Sequence, residues 1–124
     1  MDGYIENIKK QAKENSFFRK VLINGQHVQV VLMSINPGEE IGSETHPDND
    51  QVLYLVSGRG KVVLNGQEKA FNKGDLVLVK AGTEHNFITD GDEAMKIITT
   101  YSPPHHPAGT VHETKADAEA AESA

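Results

Sequence analysis

Between about residue 17 and residue 101, apolar residues come in short runs broken by turn signals. The runs are FFRKVLI, HVQVVLMSI, QVLYLVS, KVVL, DLVLV, HNFI and MKIITTY. They are rich in Val, Ile, Leu and Tyr, side chains that suit a pleated, half-buried surface. Between them stand Asn24-Gly25, Pro37-Gly38, Gly58-Arg59-Gly60, Asn65-Gly66, Lys73-Gly74, Ala81-Gly82 and Asp90-Gly91. The two Asn-Gly pairs predict hairpins, because a type I′ turn needs positive φ at both central positions. So many closely spaced strands predict a sandwich or barrel. In the run 51–57, Gln51, Leu53, Leu55 and Ser57 share one face, and Val52, Tyr54 and Val56 the other. Both faces are largely apolar, so both need cover, from a second sheet or another subunit.

The two ends read differently. Residues 4–14 (YIENIKKQAKE) carry apolar side chains at Tyr4, Ile5, Ile8 and Ala12, a helical spacing. A short helix lying against a larger body is expected. After residue 102, Pro103, Pro104 and Pro107 exclude regular structure at the start of the arm. The Ala-rich, acidic end (KADAEAAESA) predicts a frayed helix or a mobile tail. The expected organisation is therefore an N-terminal helix (1–15), a barrel (16–102), and a Pro/His-rich arm with its tail (103–124).

Composition narrows the chemistry. The 124 residues include 12 basic and 18 acidic ones, for a net charge of −6, with six His and no Cys. That size suits one domain with one core. An acidic chain is a poor partner for nucleic acid or anionic lipid. The polar N-terminus is unlike a secretory signal, and no apolar run approaches the roughly 18 residues of a membrane span. A soluble, cytoplasmic protein is the expectation. Without Cys, any metal must be held by nitrogen and oxygen. The acids are unevenly placed: residues 39–50 hold Glu39, Glu40, Glu44, Asp48 and Asp50 and neither Lys nor Arg.

Two clusters carry the candidate chemistry. The first reads Gly38, five residues, Glu44-Thr45-His46, four residues, Gln51, six residues, Gly58. The second reads Gly74, five residues, Lys80-Ala81-Gly82, two residues, His85, three residues, Thr89. In order, spacing and strand context these resemble the two motifs of the cupin superfamily, over about residues 28–101. The resemblance implies an all-β fold: an antiparallel double-stranded β-helix, the cupin jelly-roll barrel. It also implies a metal site, with Glu44, His46, Gln51 and His85 at the ligand positions. The usual pattern has His where Glu44 stands and Glu where Gln51 stands, so the carboxylate has changed ends. Residues two apart on a strand share a face, so Glu44 and His46 are expected to point into the barrel together, with Gln51 and His85 opening two further strands. Polar groups inside a small barrel are costly unless paired, and a divalent cation would pair them. Two imidazoles, one carboxylate and one amide oxygen suit Zn, Fe, Ni, Mn or Co.

The remaining candidates are less defined. A Pro-rich arm folded across the barrel mouth would bring His105, His106 or Tyr101 close enough to act as a proton donor. A structural arm packing on the barrel or on a partner subunit is the alternative, and His112 follows it. His27 and Lys80 are expected at the surface, and Asp48 and Asp50 near the mouth. The resemblance extends to small single-domain cupins similar to mannose-6-phosphate isomerase. It implies a metal-dependent isomerase acting on a small, sugar-like substrate, in a homodimer. A non-haem metal dioxygenase and a non-catalytic metabolite- or sugar-binding barrel are the rival expectations.

Overall fold

A computed structural model describes residues 2–123. In chain order the elements are α1 (Ile8–Glu14), β1 (Arg19–Asn24), β2 (Gln29–Ile35), β3 (Asp50–Ser57), β4 (Arg59–Leu64), β5 (Gln67–Asn72), β6 (Leu76–Val79), β7 (His85–Thr89), β8 (Met95–Ser102), β9 (Val111–His112) and α2 (Lys115–Ser123). The strands form a six-stranded sheet, β6-β3-β8-β2-β1-β9, and a three-stranded sheet, β5-β4-β7. Every pairing is antiparallel. This is the expected all-β jelly-roll barrel. Among the described residues, no helix is long and apolar enough to cross a membrane.

Register explains where the core sits. Across β2, β8 and β3, the inward side chains line up in rows. Gln29, Tyr101 and Gln51 form the first row. Val31, Thr99 and Leu53 form the second, and Met33, Ile97 and Leu55 the third. Ile35 and Met95 close the far end. With Phe71 and Phe87 from the smaller sheet, the deeper rows make the main hydrophobic core. Polarity is thus graded along the barrel axis, with its polar end where β2 and β3 begin and β8 ends. At the far end the two sheets come close at Gly60. A Cβ there would collide with the Ile88 carbonyl oxygen and the Met95 sulfur, so only glycine fits.

The outer face of β3 is covered from within the same chain. Ala12, Leu32 and Val56 are buried together, with Ile8, Leu22, Tyr54 and Ile98 packed around them. The cover needs no second subunit there. The helix is shorter than the periodicity predicts. Asn7 caps it, its side chain accepting from Lys10 N at 3.1 Å, so α1 starts at Ile8. Ile5 and Tyr4 consequently stay exposed, at 81% and 42%. Lys96 fastens the other end, donating to Asn15 O at 2.6 Å and to Ser34 Oγ at 2.9 Å.

Other expectations need correction. Asn65-Gly66 has positive φ at both residues, 48° and 81°, as a type I′ turn requires. Asn24-Gly25 does not make such a turn: Asn24 pairs with Gln29, leaving a four-residue loop closed by Gly25 N to Val28 O at 2.7 Å. Glu44 and His46 are not on a regular strand. They lie in an irregular segment tied to β7 by isolated bridges, Glu40 with Ile88 and Glu44 with His85. The acidic end forms helix α2, whose Ala118 packs into the main core. The arm before it adds β9 to the large sheet, beside β1.

Candidate metal centre

Two donors are placed by the backbone. Glu44 N donates to His85 O and His85 N to Glu44 O, both at 2.9 Å. This reciprocal pair sets the two side chains opposite each other. His46 follows two residues on, and its carbonyl accepts from Gly82 N at 2.9 Å. Positive φ at Gly82 (84°) makes the turn that precedes His85. One donor atom each from Glu44, His46 and His85 lie within 4.8 Å of one another, close enough to bind one metal ion.

The hydrogen bonding around these residues suits a cation. His85 Nδ1 donates to Thr83 O at 2.8 Å, which leaves its Nε2 with a free lone pair. His46 Nε2 stands 3.0 Å from Glu44 Oε2, but it is buried without a partner in hydrogen-bond geometry. Two donor atoms this close together can share one cation. Burial disfavours charge on Glu44, yet the neighbouring His46, with Arg19 and His85, outweighs it and holds the carboxyl below its ordinary pKa. Burial also pulls His85 below the usual imidazole value, although the Thr83 hydrogen bond opposes this.

Gln51 sits in the first inward row of β3, buried, with Nε2 donating to Thr99 Oγ1 at 3.0 Å. Its Oε1 is buried and has no partner. An orphaned buried carbonyl carries a desolvation cost of about 1–3 kcal/mol. Its row neighbour Tyr101 is buried too, with its ring 5.6 Å from that of His46.

The arm reaches this same end. The His105 ring lies 4.4 Å from the His46 ring and stacks on Tyr101 at 5.3 Å. His106 meets the Tyr101 ring edge-on at 5.1 Å. Burial, then the charge of Arg19, push the His106 pKa down to about 3. Gln29 holds the arm in place. Its Oε1 accepts from His105 N (3.2 Å) and His106 N (3.0 Å), while its Nε2 donates to His106 O (2.7 Å) and Asn24 Oδ1 (2.7 Å). Asn49 donates to Pro103 O from the other side.

The candidates therefore sort cleanly. Glu44, His46 and His85 come together, and Tyr101 and His105 stand against them. His27 and Lys80 are exposed. Asp48 and Asp50 are exposed as well, and Asp50 caps Ala81 N at 3.0 Å rather than joining the group. Arg19 and Gln29 escaped the sequence reading. Both are polar residues at inward positions of otherwise apolar strands, a signal visible in the alternation Arg19, Val21, Ile23 and Gln29, Val31, Met33.

Fold and site together define a cupin, and the chain belongs to that family: residues 31–101 match the cupin domain model. It is 47% identical to the uncharacterised protein YrkC of Bacillus subtilis, over 96% of this chain and 67% of that one. The crystal structure of BH2720 from Bacillus halodurans is similar throughout, with 42% identity, a TM-score of 0.93 and coverage of 94% and 93% of the two chains. An RmlC-like cupin from Shewanella frigidimarina shares 25% identity and a TM-score of 0.64, over 71% and 77% of the chains.

Proposed function

We propose that this cupin is a metal-dependent enzyme acting on a small polar molecule at the polar end of the barrel. The observation that carries this reading is the convergence of Glu44, His46 and His85, with His85 fixed in the tautomer that offers Nε2. Gln51 is the fourth ligand: its Oε1 is the acceptor left over after Nε2 binds Thr99. A bound divalent cation supplies Lewis-acid polarisation of a carbonyl or hydroxyl oxygen. The protein's own residues do the rest. Gln29 positions the arm, and the arm places His105 beside His46 and Tyr101. His105 is exposed, so its ring can exchange protons with solvent. It is the group that moves a proton between adjacent carbons, an isomerase-type transfer, with Tyr101 as the neighbouring phenol.

Elemental analysis of the purified protein tests the site. We expect close to one equivalent of Zn, Fe, Mn, Ni or Co, lost in His46→Ala and in His85→Ala. Metal retained by both variants sinks the reading. The chemistry is tested by NMR in D2O with a panel of small hydroxy-aldehydes and ketoses. Carbon-bound deuterium should appear with the metal-loaded protein and fail to appear with His105→Ala. A dioxygenase is the second reading, favoured by the two-His, one-carboxylate donor set. Oxygen uptake by the iron-loaded protein, without deuterium exchange, would establish it. Retained ligand binding in Glu44→Ala would instead point to a non-catalytic binding barrel.

We also assign a cytoplasmic homodimer. Leu76 and Leu78 on the edge strand β6 are 64% and 49% exposed, beside Tyr54 and Val52. An edge strand with apolar side chains is prone to pair with another chain.

A further inference from the structure

The apolar part of the barrel interior holds one polar side chain that the metal donors do not account for. Thr99, on β8, is fully buried. It stands in the second inward row, between Val31 and Leu53, and is the one polar residue in that row and the next. A hydroxyl in such a row is costly unless it is hydrogen-bonded. At this level β8 is paired with β2 on one side and β3 on the other, so the ladders engage the nearby main-chain groups. The hydroxyl turns instead to a side chain, accepting from Gln51 Nε2 at 3.0 Å. Buried Thr89 makes the contrast: it donates to a main-chain carbonyl, Ile35 O, at 3.2 Å. The bond of Thr89 ties one stretch of chain to another, whereas that of Thr99 fixes the end of a side chain.

Gln51 gains from being held. It pairs with Tyr101 across the two strands, and Thr99 lies two residues earlier on β8, one row deeper. That diagonal is within reach of a long side chain. A free Gln has several rotatable bonds, and ordering them opposes any contact it makes. The bond to Thr99 removes much of that freedom in advance. It also occupies the amide nitrogen, while Oε1 is buried without a partner. A cation attracts the oxygen of an amide and repels its N–H groups. With the nitrogen on the hydroxyl, the end left for a metal is the oxygen.

We infer that Thr99 is a positioning residue for metal binding: its hydroxyl holds Gln51 Nε2, so that Oε1 is ordered as a ligand before the ion arrives. This rests on the reading of Gln51 as the fourth ligand. A neutral amide oxygen contributes little to a site unless the cost of ordering it has already been met, so its anchor matters as much as the oxygen itself. Thr99 acts through Gln51 alone, and its effect should vanish when Gln51 is removed.

The test is a competition titration of the full chain with zinc and a chelator, made as a double-mutant cycle. Thr99→Val keeps the shape and removes the hydroxyl, and should weaken zinc binding by about tenfold. Thr99→Ser keeps the hydroxyl and should stay within about threefold of the unmodified protein. In a Gln51→Leu background, Thr99→Val should cost nothing further. Full affinity in Thr99→Val, when Gln51→Leu is weakened, would overturn this inference alone. So would losses that simply add, since Thr99 would then act through packing. If Thr99→Val fails to fold, Thr99→Ala and Thr99→Ser decide, because they differ only in the hydroxyl. Tighter zinc binding by the Ser variant supports the assignment, and equal binding overturns it. Full affinity in Gln51→Leu, or an unmodified protein that takes up no zinc, would overturn the ligand reading and this inference together.

Discussion

At one end of the barrel, the row Met33, Ile97 and Leu55 is apolar and tightly buried; two rows away, Gln29, Tyr101 and Gln51 are equally buried but polar. The same three strands supply both. Backbone pairing does not distinguish the ends, so the difference lies in what each side chain needs. The apolar rows are satisfied by contact with one another. The polar rows need partners, and the protein supplies only some of them. Gln29 has four hydrogen bonds, whereas Gln51 Oε1, His46 Nε2 and His106 Nε2 have none. One end is built to be complete and the other to be completed.

The largest effect should come from damaging the complete end. Phe71 is fully buried against Phe87, their rings 5.3 Å apart. Phe71→Ala should cost about 3–5 kcal/mol in urea unfolding. Its metal content should stay at the level of the unmodified protein, and a parallel loss of metal would show the two ends to be one unit. Next, Gln51→Leu should weaken metal binding by at least about tenfold in a competition titration with a chelator. The same variant should leave the metal-free protein close to its original stability, because it removes an unpartnered buried oxygen. A metal-free protein as damaged as Phe71→Ala would mean that Gln51 is structural.

Smaller effects probe the arm. Gln29→Leu removes the acceptor that His105 N and His106 N share. Hydrogen exchange at those amides should quicken in the variant by about ten- to a hundredfold, while amides of β8 stay protected. Unchanged exchange would show that the arm is held by other contacts. The smallest effect concerns pH. His106 titrates at about 3 in the folded protein against 6.5 for the ordinary group. As pH falls, the unfolded chain takes up the proton first, so the unfolded state gains. The stability His106 contributes is therefore complete above pH 6.5 and lost progressively between about 6.5 and about 3. In metal-free protein, His106→Gln should flatten that part of the stability profile, and an unaltered acid limb would contradict the burial of the ring.

Much of this was legible in the sequence, for identifiable reasons. Strands β3, β6, β7 and β8 are runs of β-formers between turn residues, and the structure places them within a residue or two of those runs. The positions of Glu44, His46 and His85 follow from two spaced motifs. Most of what escaped lacked a strong local signal. Strand β5 (QEKAFN) is exposed except for Phe71, and as an edge strand it has no second apolar face to advertise it. Strand β9 has two residues, and its pairing with β1 spans most of the chain. Helix α1 begins late because Asn7 captures Lys10 N, a choice of cap that periodicity does not register. Arg19 was hidden by its neighbours, since a charged residue beside a turn ordinarily reads as solvated. Its alternation with Val21 was the local sign that it faces inward, and tertiary packing bears that out.

The reciprocal backbone bonds between Glu44 and His85 have an evolutionary consequence. They fix the spacing of the two positions through main-chain atoms, which every residue but proline possesses. The side chain at position 44 can therefore be exchanged without disturbing its neighbour. The site behaves as a socket whose dimensions are inherited while its fittings are replaceable. A lineage carrying this socket can trade imidazole for carboxylate one mutation at a time, retuning charge and metal preference without rebuilding the barrel.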